Sequence, residues 1–372
     1  MATKIKIAQI GFRGLSTDYP VGGIEHWMSS VIFRLHTKYS FYLYPKAKYS
    51  VERKPTIDFT ISPTNAIWTK NLETVTYSLL ATIKATLKAD IIHYHGNLPA
   101  LWSFIPWMFN KKVILTLHGA DWKRPKWNKC MSLVHRIALK TSLFFSNTVI
   151  SVSKSLHDEL AEKHNHIGFI PNGMDETPRT GKTKNINHFG FIGRLVPEKR
   201  LDLLIEAFST NEFSNCRLYI AGDSPSTESY KAHIIASASQ QKNIHFLGQV
   251  SGDNKRSFFE KIDTLCIPSD IEGMPIALLE ACGYRKKLVV SNIPEHKFFD
   301  EYIKSGITFF KGGCTTSLTN ALKITLSQTE NEELILKPDF FNKFSWNSVS
   351  TSYDKIYHDT YTNKIRKTSS KI

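Results

Sequence analysis

Short runs of apolar residues alternate with longer amphipathic segments along most of the 372-residue chain. Many runs are apolar without interruption, which is typical of parallel strands buried on both faces. In the first half the predicted strands are Ile5–Ile10, Ile91–His95, Val113–His118, Thr148–Val152 and Gly168–Ile170. In the second half they are Phe189–Ile192, Arg217–Ala221, Ile244–Leu247, Thr264–Ile267 and Leu288–Ser291. Helical patterns such as Arg200–Phe208 and Pro275–Cys282 lie between them, which predicts an α/β protein.

The alternation breaks once, in a polar stretch with Pro, Gly and Lys that follows Pro171. We place an inter-domain linker there, at residues 176–187. Residues 1–175 and 188–345 are then two Rossmann-like domains, each a doubly wound parallel sheet. Residues 346–372 are predicted to form a C-terminal helix that crosses back to the first domain, followed by a frayed basic tail. In such folds ligands bind at the carboxyl ends of the strands, in the cleft between domains.

Charge and cysteine content narrow the choice of partners. The formal net charge is +15, of which residues 1–178 carry +10. Such a field attracts nucleic acid, anionic lipid headgroups or phosphorylated substrates. No recognised nucleic-acid-binding module accompanies it, so we expect no nucleic-acid partner. The five cysteines are dispersed and no stretch of about 18 apolar residues occurs, so we expect neither a disulfide framework nor a transmembrane helix.

The segment 191–208 is a candidate phosphate site. A predicted strand ends at Gly193, and Arg194 and Lys199 flank the start of the helix that follows. Glycine permits a close approach of the backbone to a ligand, and backbone N–H groups at a helix start favour anions. The two cations suit a diphosphate. From spacing alone, a plain strand–turn–helix with solvated charges is equally compatible with this pattern.

The segment Glu272–Glu280 places two carboxylates around a helix start. Eight residues at 1.5 Å rise separate them by about 12 Å. Paired carboxylates of glycosidases lie about 5–9.5 Å apart, so this spacing excludes a paired acid–base site. It suits two carboxylates that grip different hydroxyls of one extended ligand. The alternative is one Glu that favours the helix dipole and one exposed Glu.

Four motifs occur in one order: GRLVPEKRLDLLIEAF at 193–208, IAGDSP at 220–225, HFLGQVS at 245–251 and SDIEGMPIALLEACG at 269–283. This order closely resembles family 4 of the retaining glycosyltransferases, including bacterial enzymes of O-antigen, capsule and exopolysaccharide synthesis. The resemblance covers most of residues 170–300. It implies the GT-B fold, in which two Rossmann-like domains face a central cleft. The domain 1–175 is then expected to bind the acceptor and the domain 188–345 the nucleotide-sugar.

The resemblance also implies roles for residues of the second domain. Arg194 and Lys199 would bind the donor diphosphate, and Glu272 would contact the donor sugar. The remaining donor-binding positions are Gly193 in the diphosphate loop, the backbone of Gly273 and Met274 near the sugar, Gln249 and Val250 near the base, and Glu280 at the ribose hydroxyls. It implies a front-face reaction with retention that needs no cofactor and no metal, and the sequence contains no Asp-x-Asp motif.

In the first domain the resemblance involves a glycine pair and a histidine. Gly22, Gly23 and Glu25 match a GG-x-E segment that faces the donor phosphates in that family, although the glycines alone are a weak signal. His118 ends a predicted strand and is expected to contact the donor sugar. The stretch HGADWKRPKW at 118–127 resembles a branch that often transfers deoxysugars. That branch commonly has Asp at the position of His118, and this departure weakens any inference about the sugar.

The sequence allows more than one interpretation for each of two aromatic-rich segments. Aromatics and cations interleave at Trp122, Lys123, Arg124 and Lys126, which fits a nucleic-acid surface, a lipid-headgroup surface, a loop over a phosphorylated acceptor or a solvated basic loop. We assign these residues to the acceptor or membrane side. Residues 98–112 contain two tryptophans, two phenylalanines and two final lysines, and they predict either a core-packed helix or partial membrane contact.

The expected protein is therefore a cytoplasmic transferase at the inner face of the cell membrane, whose acceptor is lipid-linked or an oligosaccharide. The basic first half would attract it to anionic lipid. Another GT-B sugar-nucleotide enzyme, such as an epimerase, is one alternative, and it would consume donor without an acceptor. A non-catalytic basic protein bound peripherally to membranes is the other. The intact cation and carboxylate positions argue against loss of catalysis.

Overall fold

The structure, a computed structural model, describes residues 4–14, 22–49, 59–69, 72–123, 127, 129–175, 187–224, 227–328 and 333–362. The chain divides into two compact units. The first comprises Met1–Gly173 and Trp346–Ile372, and the second Met174–Ser345. Residues 176–186 of the predicted linker lie outside the described residues.

A parallel sheet forms the centre of the first unit. Its strands are β1 (Lys6–Ile10), β2 (Ser40–Tyr44), β3 (Thr60–Ile61), β4 (Ile91–His95), β5 (Lys112–Leu117), β6 (Thr148–Ser151) and β7 (Ile167–Phe169). Their order across the sheet is β3-β2-β1-β4-β5-β6-β7, and all neighbouring pairs are parallel. Every residue of β4 and β6 is buried. Burial on both faces explains why these strands appear in the sequence without polar alternation.

The helices of this unit before the linker are α1 (Gly23–Leu35), α2 (Glu73–Lys88), α3 (Phe104–Met108), α4 (Lys129–Phe145) and α5 (Lys154–Ala161). The chain passes from β1 to β2 in one direction across the sheet and from β3 to β7 in the other. Parallel crossovers are almost always right-handed, so the reversal of direction places α1 on one face and α2 to α5 on the opposite face. Both faces of the sheet are therefore covered by helices.

A second parallel sheet forms the centre of the second unit. Its strands are β8 (His188–Ile192), β9 (Arg217–Ala221), β10 (Ile244–Gly248), β11 (Thr264–Ile267), β12 (Lys287–Ser291) and β14 (Ile307–Phe310), in the order β10-β9-β8-β11-β12-β14. A separate antiparallel pair joins β13 (Ile303–Ser305) to β15 (Ile335–Leu336). The helices are α6 (Leu201–Phe208), α7 (Glu228–Ala238), α8 (Gly252–Lys261), α9 (Ile276–Gly283), α10 (Pro294–Lys297), α11 (Thr315–Ser327) and α12 (Phe340–Phe344).

The core of the second unit forms where α6 and α11 cover the sheet. Leu201, Leu204 and Phe208 of α6 follow helical spacing and are buried. They pack in one cluster with Phe189 of β8 and Leu318 of α11. This amphipathic helix explains why the sequence 200–208 predicts a helix so clearly.

The last described helix, α13 (Trp346–Tyr361), belongs to the first unit and packs against α1. Its Tyr357 is fully buried, and the hydroxyl of this residue accepts a hydrogen bond from Gln9 Nε2 at 3.1 Å and lies 2.9 Å from His93 Nδ1. Gln9 and His93 are direct neighbours on β1 and β4. Buried polar side chains need partners, and α13 supplies one for both strands.

The predicted fold class is confirmed, because each unit is built on a parallel sheet with helices in between. All ten predicted strands occur, with small differences at their ends. Residues 98–112 form a 3-10 turn at Pro99–Trp102 and then α3. Leu98 and Ala100 are buried, whereas Met108 and Phe109 are exposed, so only the first part of this segment belongs to the core.

Replacing Tyr357 with Phe should destabilise the first unit. The change leaves Gln9 Nε2 and His93 Nδ1 buried without their partner, which typically costs about 1–3 kcal/mol. The free energy of unfolding in urea measures this loss. Tyr361→Phe, on the same helix but 46% exposed, is the control and should unfold like the wild type. Equal unfolding of both variants would contradict this role of Tyr357.

Candidate functional site

The sequence-predicted cations and carboxylates of the second unit meet at the carboxyl ends of its strands. Gly193 and Arg194 follow β8, and Lys199 lies in a 3-10 turn just before α6. Glu272 lies in the loop between β11 and α9. Lys199 Nζ donates a hydrogen bond to Glu272 Oε1 at 2.5 Å, and the N–H of Asp270 donates to the carbonyl of Glu198 at 3.0 Å. The two loops are thus tied by backbone and side chains.

Glu272 is a buried, ionised carboxylate. Its side chain is 8% exposed and that of Lys199 is 19% exposed. Burial raises the pKa of Glu272, but the nearby Lys199 ammonium and the hydrogen bonds from Lys199 Nζ and from Ser269 Oγ, the latter at 2.7 Å, outweigh it, so its pKa lies below the usual range. A buried ion pair of this kind persists only when further hydrogen bonds satisfy it. The pair therefore fixes both side chains in place.

His296, at the start of α10, is part of the same cluster and was not predicted from the sequence. Its Nδ1 lies 2.9 Å from the carbonyl of Ser291, so the proton belongs on Nδ1. Burial lowers the pKa of His296 to about 4, and the ring is neutral at pH 7. Its Nε2 is buried and has no hydrogen-bond partner among the described residues. The Pro-Glu-His sequence at 294–296 is an ordinary helix start and carries no signal of this role.

Glu280, the predicted ribose anchor, lies on α9 and has a cation partner. Lys255 Nζ of α8 donates to Glu280 Oε1 at 2.5 Å, and both side chains are partly buried. The sequence did not predict this pair, because 25 residues separate its members and no motif joins them. A ribose at Glu280 would share the carboxylate with Lys255 or displace it.

Backbone groups rather than side chains bring the loops after β8, β9 and β10 together. Gly222 has φ +137°, and a Cβ there would lie 1.8 Å from the carbonyl oxygen of Gly193. The N–H of Gly222 donates to the carbonyl of Gly248 at 2.7 Å. Only glycine fits this approach. Gln249 and Val250 follow directly, with Gln249 exposed and Val250 half-buried, at the edge formed by these loops.

Gly273 and Met274 lie between Glu272 and α9. Gly273 is half-buried and Met274 is buried. Pro275 is the N-cap of α9, and its ring supplies the fixed φ that suits a helix start. The sequence therefore places two backbone N–H groups directly before a helix N-terminus, where the dipole favours negative charge.

In the first unit the predicted GG-x-E segment forms the start of α1. Gly22 is the N-cap and Gly23 the first helical residue. Glu25 Oε2 accepts from the N–H of Gly22 at 3.1 Å, and Oε1 accepts from the N–H of Arg13 at 2.9 Å. Glu25 therefore holds the helix start and the end of the loop after β1, as the carboxylate of a capping box does.

His118 ends a chain of buried polar side chains. Gln9 donates through Nε2 to Tyr357, so its Oε1 is the acceptor for His95 Nε2, 2.8 Å away. Neutral His95 then accepts at Nδ1 from His118 Nε2, 2.9 Å away. This assignment from the hydrogen-bond partners leaves Nδ1 of His118 without a proton. The same atom is buried and has no partner among the described residues.

Burial keeps this histidine chain neutral. It lowers the pKa of His118 to about 4, although Asp121 opposes the shift, and it lowers the pKa of His95 well below the usual value. The rings lie close together and close to Trp27, whose centroid is 4.6 Å from that of His95. His118 is thus held as a hydrogen-bond acceptor at the carboxyl end of β5. Gln9 and His95 set this state through hydrogen bonds between strands, which no spacing in the sequence predicts.

The aromatic–cation loop after β5 is only partly described. Trp122 is half-buried and packs against the core of the first unit. Lys123 is exposed and pairs with Glu159 at 2.5 Å. Exposed pairs of this kind contribute little to stability. Arg124 and Lys126 lie outside the described residues.

Among the described residues, no group of three or more His, Cys, Asp or Glu side chains is arranged to hold a metal ion. No helix in the described part of the chain is long and apolar enough to cross a membrane.

Two family models match adjacent parts of the chain. Residues 22–177 match the model described as Glycosyltransferase Family 4, and residues 175–334 match the model described as Glycosyl transferases group 1. Together they span both compact units. The first model contains the segment that starts α1 and the histidine chain. The second contains the loops that hold Lys199 and Glu272 and the helix α9 that carries Glu280.

Individual proteins agree with these models. An uncharacterized glycosyltransferase of Methanocaldococcus jannaschii, MJ1178, is 25% identical over 73% of this chain and 75% of its own. The putative teichuronic acid biosynthesis glycosyltransferase TuaC of Bacillus subtilis is 27% identical over 61% of this chain and 59% of its own. The crystal structure of Anabaena Alr3699/HepE in complex with UDP has the same fold, with a TM-score of 0.70, 14% identity, and coverage of 96% of this chain and 100% of that one.

Acid should destabilise the protein through its neutral histidines. A histidine whose pKa is about 4 when folded and 6.5 when unfolded binds its proton only in the unfolded state between these values. Its contribution is therefore fully present above pH 6.5 and is lost as the pH falls towards 4, by roughly 3 kcal/mol at 1.36 kcal/mol per unit. The unfolding free energy in urea, measured at several pH values, should fall in this window.

His118→Asn is the diagnostic variant for this pH dependence. It should show a shallower loss of stability between pH 6.5 and 4 than the wild type. His233→Asn, at an exposed histidine of α7, should keep the wild-type slope. An unchanged slope in His118→Asn would mean that this histidine is already protonated in the folded protein.

Proposed function

We propose that this chain, which belongs to family 4 of the glycosyltransferases with the GT-B fold, transfers a sugar from a nucleoside diphosphate donor to a glycan acceptor with retention at the anomeric carbon. The observation that carries the proposal is the buried Lys199–Glu272 pair at the carboxyl ends of β8 and β11. A cation fixed in a dry site costs no reorganisation when charge develops beside it, which is the main source of electrostatic catalysis.

In the proposed reaction the bond between the anomeric carbon and the diphosphate oxygen breaks, and its electron pair stays with the departing diphosphate. Arg194 and Lys199 stabilise the charge that grows there. The acceptor hydroxyl attacks from the same face, and its proton passes to an oxygen of the departing phosphate. No general base is needed for this step. Because fixed side-chain cations balance the charge and the sequence has no Asp-x-Asp motif, we propose that the reaction needs no metal.

Glu272 orients the sugar in this proposal. Lys199 already occupies one of its oxygens and Ser269 bonds to the same oxygen. As an ionised carboxylate it accepts hydrogen bonds from sugar hydroxyls. The N–H groups of Gly273 and Met274 lie next to it in the chain and contribute donors to the same ligand.

The nucleoside is assigned to the neighbouring loops. We place the base at Gln249 and Val250, beside the close approach of Gly193 and Gly222. Glu280 is assigned to the ribose hydroxyls, with Lys255 as the side chain that keeps its carboxylate in place before the donor arrives. For the first unit, we assign Gly22 and Gly23 at the start of α1 to the donor phosphates: Gly23 supplies an N–H group that suits phosphate, while the N–H of Gly22 is held by Glu25. His118 accepts a hydrogen bond from a substrate hydroxyl.

The acceptor is proposed to be a lipid-linked or oligosaccharide precursor of a surface polysaccharide. TuaC, by its name, acts in teichuronic acid biosynthesis, and residues 1–178 of this chain carry a charge of +10. Such a charge attracts the anionic inner face of a cell membrane and a phosphorylated acceptor held there. We therefore propose that the enzyme works peripherally at that face, with Trp122, Lys123, Arg124 and Lys126 on the acceptor side.

Removing the proposed catalytic groups should abolish most transfer. Arg194→Ala, Lys199→Ala and Glu272→Ala should each lower turnover by about 10²–10³-fold, the usual loss of one preorganised electrostatic contact. The exposed pair Lys323–Glu212 of the same unit is a matched control, and Lys323→Ala and Glu212→Ala should keep turnover. Thermal unfolding of each variant verifies the fold. Near-normal turnover in all three site variants would end the proposal.

Donor binding can be tested without an acceptor. A bound donor at about 100 times its dissociation constant adds about 2.7 kcal/mol of stability, so one of the UDP-, GDP- or dTDP-sugars should raise the melting temperature, with or without EDTA. Glu280→Gln should reduce this shift, whereas Glu212→Gln should not. Donor consumption in the absence of acceptor would favour an epimerase, and loss of the shift with EDTA would contradict metal independence.

A further inference from the structure

Arg200, between the 3-10 turn and α6, adopts a left-handed backbone conformation. Its φ is +49° and its ψ is +41°. In this region the Cβ lies too close to the following carbonyl oxygen, so the position favours glycine, with asparagine the usual substitute. Among the described residues, the other non-glycine residues with positive φ are Asn110, Asn187 and Arg285. An arginine at position 200 is therefore strained, and such strain persists only where the surroundings enforce it.

The guanidinium of Arg200 is held between two carboxylates. Its Nε and Nη2 donate to Asp202 Oδ2 at 3.2 and 3.1 Å, and its Nη1 donates to Asp270 Oδ2 at 3.2 Å. Asp202, in the first turn of α6, is also fixed by the hydroxyl of Tyr230, which donates to its Oδ1 at 3.1 Å. Asp270 belongs to the loop after β11 that carries Glu272. The guanidinium thus joins the start of α6 to a second loop.

Three consecutive residues before α6 each contact the loop after β11. The carbonyl of Glu198 accepts from the N–H of Asp270 at 3.0 Å. Lys199 Nζ donates to Glu272 Oε1 at 2.5 Å, and Arg200 donates to the carboxylate of Asp270. The Arg200–Asp270 pair therefore flanks the Lys199–Glu272 pair along both segments of the chain.

Stability alone does not explain an arginine at this position. The side chains of Arg200, Asp202 and Asp270 are 26%, 37% and 40% exposed. Ion pairs with this degree of exposure contribute little to stability. A glycine would adopt the same conformation without strain. What the arginine adds is position, because its side chain fixes the loop after β11 relative to the turn before α6.

Donor binding, in the reaction proposed above, changes the contacts of the neighbouring pair. Lys199 then binds the diphosphate and Glu272 orients the sugar, so each member of that pair acquires a new partner. Arg200 and Asp270 have no part in the reaction, and their ion pair is kept throughout it. The two loops therefore stay joined while charge develops on the diphosphate.

We propose that Arg200 is a positioning residue whose ion pair with Asp270 holds the turn of Lys199 against the loop of Glu272, and that turnover depends on it. The proposal rests on the proposed function, which assigns the reaction to Lys199 and Glu272. Arg200 is not itself assigned to the diphosphate, because its Nε, Nη1 and Nη2 already donate to carboxylates. A displacement of about 1 Å in a catalytic site costs about 10²-fold in rate, far more than an exposed ion pair changes stability.

Two substitutions of Arg200 separate strain from position. Arg200→Gly relieves the strain and loses both ion pairs, so the effects offset and it should unfold within about 2–4 °C of the wild type. Arg200→Ala keeps the strain and loses the ion pairs, so it should unfold at a lower temperature than Arg200→Gly. Both should lower turnover at least about tenfold, with kcat falling more than the donor KM rises. Turnover is measured with the UDP-, GDP- or dTDP-sugar that raises the melting temperature.

Conservative and paired variants test the assigned contact. Arg200→Lys should recover part of the turnover, because an ammonium pairs with a carboxylate but lacks the planar fork of arginine. Asp270→Ala should lower turnover as Arg200→Gly does. The double variant Arg200→Gly/Asp270→Ala should lose no more than either single one, because all three remove the same ion pair. Additive losses would contradict action through Asp270.

Amide hydrogen exchange reports the position of the loop without any substrate. In Arg200→Gly the peptide 270–274 should exchange at least about tenfold faster than in the wild type, although the melting temperature is nearly unchanged. Arg285→Gly is the matched control, at a half-buried arginine of the same unit with φ +56°. The Arg285 side chain lies over the ring of Phe341 at 5.1 Å. This control should keep both turnover and the exchange of the peptide.

Wild-type turnover or unchanged exchange of the peptide in Arg200→Gly would overturn the positioning role. So would equal losses in Arg285→Gly. Lys199→Ala and Glu272→Ala are measured beside these variants. If they lose turnover while Arg200→Gly keeps it, the proposed function stands and the positioning role is rejected. Near-normal turnover in Lys199→Ala and Glu272→Ala would reject both.

Discussion

The first unit depends on how the polar side chains at the centre of its sheet are satisfied. Gln9 and His93 are neighbours on β1 and β4, and both side chains are fully buried. Leaving such groups without partners costs more than the hydrogen bonds gain, so a second layer must supply them. The hydroxyl of Tyr357 is the hydrogen-bond partner of both side chains. Because Gln9 is oriented by this bond, its Oε1 accepts from His95, and His95 in turn accepts from His118. Structure and candidate chemistry therefore share one network.

In the second unit, a buried polar group is stabilised by pairing with the opposite charge. Lys199 and Glu272 approach each other from loops 73 residues apart, and Ser269 adds the hydrogen bond that a buried carboxylate needs. The first unit holds His118 neutral by burial, whereas the second holds Glu272 ionised by pairing. The opposite outcomes follow from the same two effects, desolvation and local partners, in different proportion. In both units these groups lie at the carboxyl ends of the strands.

The sequence predicted what depends on local pattern. Buried strands such as Ile91–His95 are continuous apolar runs, and the order of four motifs identified the GT-B fold. The strand β2 was missed because the prediction relied on continuous buried runs, whereas half-buried and buried residues alternate at the start of Ser40–Tyr44; β3 has only two residues. At the site, Lys199 and Glu272 were named and lie together. Lys255 and His296 were missed because their role comes from packing between elements that no spacing joins.

The placement of α13 has a consequence for how the chain is made. Residues up to Gly173 leave the ribosome without the helix that carries Tyr353 and Tyr357, and α13 follows only after the whole second unit. At about 5–20 residues per second, the intervening stretch of about 190 residues takes roughly 10–40 seconds to synthesise. During that time Gln9 Nε2 and His93 Nδ1 lack the Tyr357 hydroxyl as a hydrogen-bond partner. The second unit, Met174–Ser345, is contiguous in sequence and is therefore complete in the growing chain before the first unit is.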